Sequence, residues 1–324
     1  MRLVLALLVA TLLSGTRAQA ASPESGWQAD RLDHLMLWTD NVDRTTSVLA
    51  VKLGFQVGPG GDFGDGVANR ILRLGDQSYL ELLYTTQPAS ELGEDLRKEL
   101  AEVRAGTGAK TFALHPSELD RADAFLRSRG FELDPPSPMN YDPDGPGPKP
   151  SEPASWRTVE FVHSPFTFGG LFLISYAANR PVPADRAIRI EHPNGTTAWT
   201  SIWLLSSDLE ADRKAFERMG FVAGGEVDLP QVGARGLRMQ AGSDTLLVVA
   251  PHGDGAAAQA LAKRGAHVFG LSIGVKDIDR AQRIVERGYG VELARYAGLD
   301  GNSVLAPTQD DLGLFIEFHA LAKQ

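Results

Sequence analysis

Along the chain, short runs with a two-residue apolar period are each followed by a stretch whose apolar residues recur three and four apart. Leu32-Asp33-His34-Leu35-Met36-Leu37-Trp38 reads as a strand, and Asn41 to Lys52 as the helix after it. The same order returns at Lys110 to Leu114 with Ser117 to Arg129, at Thr200 to Leu205 with Ser207 to Met219, and at Phe269 to Val275 with Asp277 to Arg287. Asp or Ser beside the first turn can accept its free N–H groups. Each helix ends on Gly plus an aromatic residue: Gly54-Phe55, Gly130-Phe131, Gly220-Phe221 and Gly288-Tyr289. Gly just past a helix suits the left-handed terminal position. Two further strand-like runs follow in each unit. In the first unit they are Asn69 to Leu74 and Tyr79 to Tyr84, and in the fourth Ser303 to Ala306 and Leu314 to Phe318. The fold class is read as α+β, with a β-α-β-β-β module taken four times. The irregular spacing of the Gly-aromatic pairs fits two tandem pairs and not a solenoid.

The connections agree. Ala177 to Pro193, with Pro181, Pro183 and Pro193, is the expected boundary, giving module pairs at residues 31–180 and 190–324. Pro135 to Pro153 reads as a long extended loop inside the second unit, and Gly58 to Gly66 as a flexible connection without the ending of a phosphate loop.

Residues 1–20 stand outside this pattern. Arg2, the apolar run Leu3 to Leu13 and Ala18-Gln19-Ala20 make up a signal peptide with a small-x-small cleavage site, so the expected mature protein begins at Ala21 and is secreted, to the periplasm. The run is shorter than the roughly 20 residues of a membrane span, and no later segment resembles one. Cysteine is absent, which removes disulfides, thiolate metal sites and a cysteine nucleophile together. The net charge of −9 without a basic cluster argues against a nucleic-acid partner, because phosphate contacts need grouped Lys and Arg. With 43% hydrophobic residues in 324 there is ample material for a core.

Candidate chemistry concentrates in the first unit. Strict alternation places Leu32, His34, Met36 and Trp38 on one strand face, and Asp33, Leu35 and Leu37 on the other. Glu81 lies between Leu80 and Leu82, where a carboxylate is costly unless it is paired or binds a metal. Imidazole and carboxylate are the ligand types of Zn, Mn, Fe and Ni sites. The competing reading pairs Glu81 with Arg70 or Arg73 and leaves His34 as a satisfied interior histidine. Trp199 and Trp203, on one face of the third opening strand, could floor an apolar pocket. No Gly-x-Ser-x-Gly elbow or His-Glu-x-x-His motif stands out.

The runs "LDHLMLWTDNVD…LGF", "NRILRLG" and "YLELL", with four modules closing on Gly-aromatic pairs, resemble the vicinal oxygen chelate superfamily and its glyoxalase-like members. The resemblance covers roughly residues 31 to 320. It implies two cupped sheets, each closed by two modules around one site. It also implies metal ligands from the first and last strands of paired modules. Aligned on the helices, the first-strand positions are His34, Thr111, Ser201 and Gly270, and the last-strand positions Glu81, about Ser175, about Val249 and Glu317. Only the first unit keeps both ligand types. His34 and Glu81 are thus the candidate metal ligands and Glu81 the candidate catalytic base. Glu317 reads as a vestige or a structural ion-pair member. His115, His163, His192 and His252 fall in loops and turns, and His267 and His319 flank strands as structural residues.

Two functions follow from the resemblance. One is an exported, divalent-metal-dependent lyase, isomerase or transferase acting on a small oxygenated substrate. The other is a non-catalytic protein of the bleomycin-resistance type that binds or sequesters a small molecule.

Overall fold

The computed structural model describes residues 26–63, 66–88, 90–103, 107–141, 148–150, 153–178 and 190–321. The leader-like segment 1–20 and most of the Pro-rich boundary, residues 179–189, lie outside the described residues. The first stretch forms β1 (Ala29–Trp38), α1 (Val42–Ser47) continued by a π-helical turn (Val48–Lys52), β2 (Gly58–Asp62), β3 (Val67–Arg73) and β4 (Tyr79–Thr85). After α2 (Glu94–Val103) come β5 (Gly108–Pro116), α3 (Leu119–Ser128), β6 (Ser137–Tyr141), β7 (Pro148–Pro150), β8 (Trp156–Val159) and β9 (Gly170–Tyr176). The second half begins with β10 (Thr196–Leu205), α4 (Leu209–Arg218), β11 (Ala223–Leu229), β12 (Ala234–Ala241) and β13 (Asp244–Pro251). It continues with α5 (Ala256–Arg264), β14 (His267–Val275), α6 (Ile278–Tyr289), β15 (Arg295–Gly298), β16 (Gly301–Ala306), α7 (Gln309–Leu312) and β17 (Phe315–Ala320).

Local chemistry accounts for the helix ends. Asn41, Asp208 and Asp277 accept hydrogen bonds from the N–H groups of Arg44, Ala211 and Arg280, the capping that the sequence signals. Gly54, Gly130 and Gly220 take positive φ after their helices. Gly288 does not end its helix: it lies inside α6, and Gly290 (φ 68°) is the cap. A Cβ at Gly288 would come within 2.4 Å of Lys52 Cα, so this glycine serves a close approach between the halves. Two expected loops are strands. Gly58–Asp62 pairs with β3, and the Pro-rich segment carries the β6–β7 hairpin. Pro148 and Pro150 are tolerated because β7 is an edge strand that pairs with β6 alone among the described residues.

Hydrogen bonding runs β2-β3-β4-β1-β5-β9-β8-β6-β7 through the first half and β11-β12-β13-β10-β14-β17-β16-β15 through the second. Each opening strand is parallel to its own last strand, as β1 is to β4, and antiparallel to the other opening strand of its half, as β1 is to β5 and β10 to β14. One bridge, Val268 with Ala109, joins β14 to β5. Register slips in the β1–β5 pairing start at Ala29, Leu32 and Met36, and in the β10–β14 pairing at Thr196, Trp199 and Trp203, an offset of 167 in every case. The halves also clasp each other reciprocally. Ser243 N–H donates to Asp30 O, and Gly75 N–H donates to Thr197 O.

One apolar core serves both halves. Leu35, Leu37, Leu80 and Leu82 belong to the same cluster as Ile202, Leu204, Leu271 and Phe318. Phe55 stacks on Phe318 at 5.9 Å and Phe166 packs on Phe216 at 4.5 Å. The other sheet faces carry separate small clusters. In the first half Trp38, Val67 and Leu83 pack with Met36 and with Leu96 and Leu100 of α2. In the second half Trp203, Leu205, Leu247 and Phe269 pack with Ala257 and Ala260 of α5. These are the two cup faces.

Candidate functional site

The strict alternation expected for the opening strands is broken at several places in β1 and β10, and the middle break in each decides which way the side chains around it face. In β1, Leu32 pairs with Leu114 and His34 with Ala113, so Asp33 is an extra residue in a β-bulge. Leu32 consequently joins the shared core with Leu35 and Leu37, while Asp33 comes round beside His34. The same bulge in β10, between Trp199 and Ser201, separates the two tryptophans. Trp199 is in the shared core and Trp203 in the second cup. They do not floor one pocket.

Strand register also moves two aligned positions. His34 stands opposite Tyr79 in the parallel pair, with Glu81 two residues further on. The corresponding pairs are Thr111 with Gly170, Ser201 with Thr245, and Gly270 with Phe315. Two residues on from these lie Phe172, Leu247 and Glu317. The ligand-equivalent residues are thus Phe172 and Leu247, not Ser175 and Val249, because counting from the helices overlooks where the last strands enter the sheet.

His34 and Glu81 do meet. His34 Nε2 is 3.6 Å from Glu81 Oε2, with the imidazole buried and the carboxylate nearly so. Arg70, one of the two arginines expected to pair with Glu81, binds Asp43 and Thr46 instead, and Arg73 lies over the Tyr79 ring. Both groups are instead held from behind. Asp33 Oδ1 is 2.8 Å from His34 Nδ1, and it also accepts the Tyr176 hydroxyl at 2.6 Å. Asp33 Oδ2 accepts from Arg31 at 3.0 Å. Burial alone would raise the Asp33 pKa, but the His34 and Tyr176 bonds and the charges of His34 and Arg31 outweigh it and hold the carboxyl below its ordinary value. On the other side, Asn69 Nδ2 donates to Glu81 Oε1 at 2.5 Å. Asn69 is oriented by its own Oδ1, which accepts Gly61 N–H at 2.7 Å. A Cβ on Gly60 would stand 1.8 Å from that oxygen, so β2 can pass this close only as glycine.

The walls are aromatic. Tyr79 stacks on His34 at 4.5 Å and Phe172 meets it edge-on at 5.3 Å. Tyr79 stays a neutral phenol: burial, then Tyr176, Glu81 and Asp33, push its pKa well above the usual value. His115 stacks on Tyr176 at 6.1 Å, with Nδ1 3.6 Å from Asp30. Asp33, Asn69 and Tyr176 were not singled out by sequence. The signal for Asp33 was present, since a carboxylate inside an apolar run needs a partner whichever face it takes.

The second cup is filled by its own side chains. Trp203 is fully buried, and a Cβ on Gly270 would come within 2.6 Å of the indole. The indole therefore occupies the space that a first-strand ligand would need. Its Nε1 donates to Ser272 at 3.0 Å. Glu317 accepts from Ser272 and from the Tyr296 hydroxyl, so its partners are hydroxyls and not an ion pair. Burial raises its pKa above the ordinary carboxylate value. The remaining histidines are in keeping with structural or surface places. His192 accepts from Gln56 N–H and donates to Arg73 O, pinning residues after the boundary to the first half. His267 bonds Gly265 O, His319 bonds Thr200, and His163 and His252 are exposed.

The glyoxalase-like domain family matches residues 32–220. The chain belongs to that family. Three solved structures share the fold. A triple mutant of 4-hydroxymandelate synthase from Streptomyces coelicolor is 15% identical, with 92% of this chain and 94% of that one covered at a TM-score of 0.65. A variant of homoprotocatechuate 2,3-dioxygenase from B. fuscum is 12% identical over 92% and 73%, TM-score 0.56. A hypothetical protein from Staphylococcus aureus is 13% identical over 90% and 98%, TM-score 0.55. No curated protein matches the sequence. The glyoxalase-like, vicinal oxygen chelate fold of this α+β chain is the one its sequence resembles. Among the described residues no helix is long and apolar enough to cross a membrane.

The family implies a divalent metal, and the donor set suits one in part. Such ions take nitrogen and oxygen ligands at about 2.0–2.2 Å, so one ion can reach both Nε2 of His34 and Oε2 of Glu81 across 3.6 Å. A carboxylate behind the ring, as Asp33 is, commonly orients a metal-bound histidine. The other two aligned positions carry Thr111 and Phe172. Among the described residues no group of three or more His, Asp or Glu is placed to hold a metal ion together.

Proposed function

We propose that the first cup is a small-molecule site in which the His34–Glu81 pair moves a proton on an oxygenated ligand, the chemistry of a lyase, isomerase or transferase. The observation that supports this reading is the approach of two proton-accepting atoms, His34 Nε2 and Glu81 Oε2, to 3.6 Å while their other atoms are engaged by Asp33 and Asn69. A proton taken from the ligand has two places to go. On Glu81 it neutralises a carboxylate. On His34 it makes an imidazolium flanked by Asp33 and Glu81, whose charges offset it. Phe172 and Tyr79 cover the imidazole and exclude water from it, which strengthens these interactions. A bound Zn, Mn, Fe or Ni ion would supply Lewis-acid stabilisation of charge on a ligand oxygen, and His34 and Glu81 are the residues that would hold it.

A second reading, binding without reaction, is favoured by Phe172, which leaves only two protein donors at the aligned positions. Elemental analysis and thermal unfolding of wild type, His34→Ala and Glu81→Gln, with and without each metal, separate the readings. Retention of metal by wild type alone, with modest loss of stability in the variants, supports the metal-dependent enzyme. Ligand binding by metal-free protein supports sequestration. The names of the two solved enzymes suggest 4-hydroxymandelate and homoprotocatechuate as first probes. Loss of neither metal nor probe binding in either variant overturns the site. We place this chemistry outside the cytoplasm, on the leader-like Leu3 to Leu13 run and Ala18-Gln19-Ala20.

A further inference from the structure

Neighbouring residues of a regular strand point to opposite faces, so a side-chain hydrogen bond between Asp33 and His34 needs an interruption. The bulge provides it. Asp33 is the extra residue between the Leu32 and His34 pairings, and its carboxylate, fully buried, reaches His34 Nδ1 at 2.8 Å. Bulges are used in this way to re-aim a side chain. Leu32 N–H, at the bulge, donates to Asp244 Oδ2 at 2.7 Å, so a turn of the second half braces the irregular backbone. Tyr176 and Arg31 fix the carboxylate from two further sides. The matching bulge in β10 presents Thr200, beside Ser201 in place of a histidine.

We propose that Asp33 is the positioning residue of this site: lifted beside His34 by the bulge, it holds the imidazole with the proton on Nδ1 and turns a free Nε2 toward Glu81. An ionised carboxylate only accepts hydrogen bonds, so the ring nitrogen facing it carries the hydrogen. The orienting group thereby selects the tautomer, and the nitrogen left over is the basic one, available to a proton or a cation. The proposal deepens the reading of His34 as a functional group.

Long-range 1H–15N correlation spectra of histidine-labelled protein report which ring nitrogen is protonated, with His34→Gln assigning the signal. Wild type should show the Nδ1–H form as the dominant species. In Asp33→Asn, which keeps the size, and in Asp33→Ala, the Nε2–H form should become the majority. Tyr176→Phe, which leaves Asp33 in place, should keep the wild-type tautomer. Zn2+ binding, followed by the same resonances, should weaken at least tenfold in Asp33→Asn and recover in Asp33→Glu only if the longer carboxylate restores the Nδ1–H form. Should Asp33→Ala fail to fold, Asp33→Asn carries the test. An Nε2–H wild type, or an unchanged tautomer in folded Asp33→Asn, overturns the proposal. A tautomer that moves as expected, while His34→Ala and Glu81→Gln alter neither metal nor probe binding, upholds the positioning and overturns the functional site.

Discussion

Asp244 joins the halves at the bulged backbone beside the site, and its ionisation should make stability depend on pH in a defined direction. Its carboxylate is buried at the β12–β13 turn, accepts Leu32 N–H, and has a pKa raised to about 6 from an ordinary 3.8. Burial is the first cause, and repulsion from Asp76 adds to it. Because the folded pKa lies above the unfolded one, the folded state favours the protonated acid. That contribution is complete below about pH 4 and is lost as pH rises through 6. A shift of about two units corresponds to about 3 kcal/mol between the limits. Asp244→Asn keeps an acceptor for Leu32 and removes the charge. Chemical denaturation from pH 4 to 8 should give near-equal stabilities at pH 4, and the variant should be ahead by about 3 kcal/mol at pH 8. The difference between the two curves isolates this residue, with its coupling to Asp76, from Glu160 and Glu317, whose pKa values burial also raises. A variant less stable than wild type at pH 8, or a pH-independent difference, would refute the reasoning.

Gly60→Ala should displace Asn69 and release Glu81 Oε1, weakening probe or metal binding while leaving unfolding within about 1–3 kcal/mol of wild type; unaltered binding would show that Asn69 is dispensable. A fragment of residues 26–178 should be molten and aggregate. It exposes the core face that Leu35, Leu37 and Phe55 share with the second half, at about 1.5–3 kcal/mol for each large side chain against a net stability of about 5–15 kcal/mol. A cooperative unfolding transition in that fragment would show that each pair folds alone. Protein exported from the full-length chain should begin at Ala21, and N-terminal sequencing that returns Met1 would remove the secretory reading.

Periodicity was a good guide wherever the backbone is regular, and misled where it is not. The opening strands, their helices and the Gly-aromatic ends at residues 54, 130 and 220 follow from local chemistry that any one stretch contains. Gly288 has the same local signature but a different use, because its neighbour Lys52 is far away in sequence. The meeting of His34 with Glu81 was legible from burial cost and residue type. The partner of His34 was not. Asp33 lies one residue away, yet only the register of β5 against β1 reveals the bulge that brings the two side chains together. The same slip hides the separation of Trp199 from Trp203. Phe172 escaped because its place depends on where β9 enters the sheet. Gly60 and Gly61 read as flexibility when they are the close contact that orients Asn69.

The central claim is that the first cup, not the second, is the ligand site and that Glu81 is part of it. Calorimetric titration of 4-hydroxymandelate and homoprotocatechuate, alone and with Zn2+ or Mn2+, into wild type, Glu81→Gln and Glu317→Gln tests it most directly. The predicted result is binding by wild type and Glu317→Gln with at least a tenfold loss in Glu81→Gln, since the carboxylate is the anionic partner facing His34. Binding that survives in Glu81→Gln and disappears in folded Glu317→Gln would contradict it.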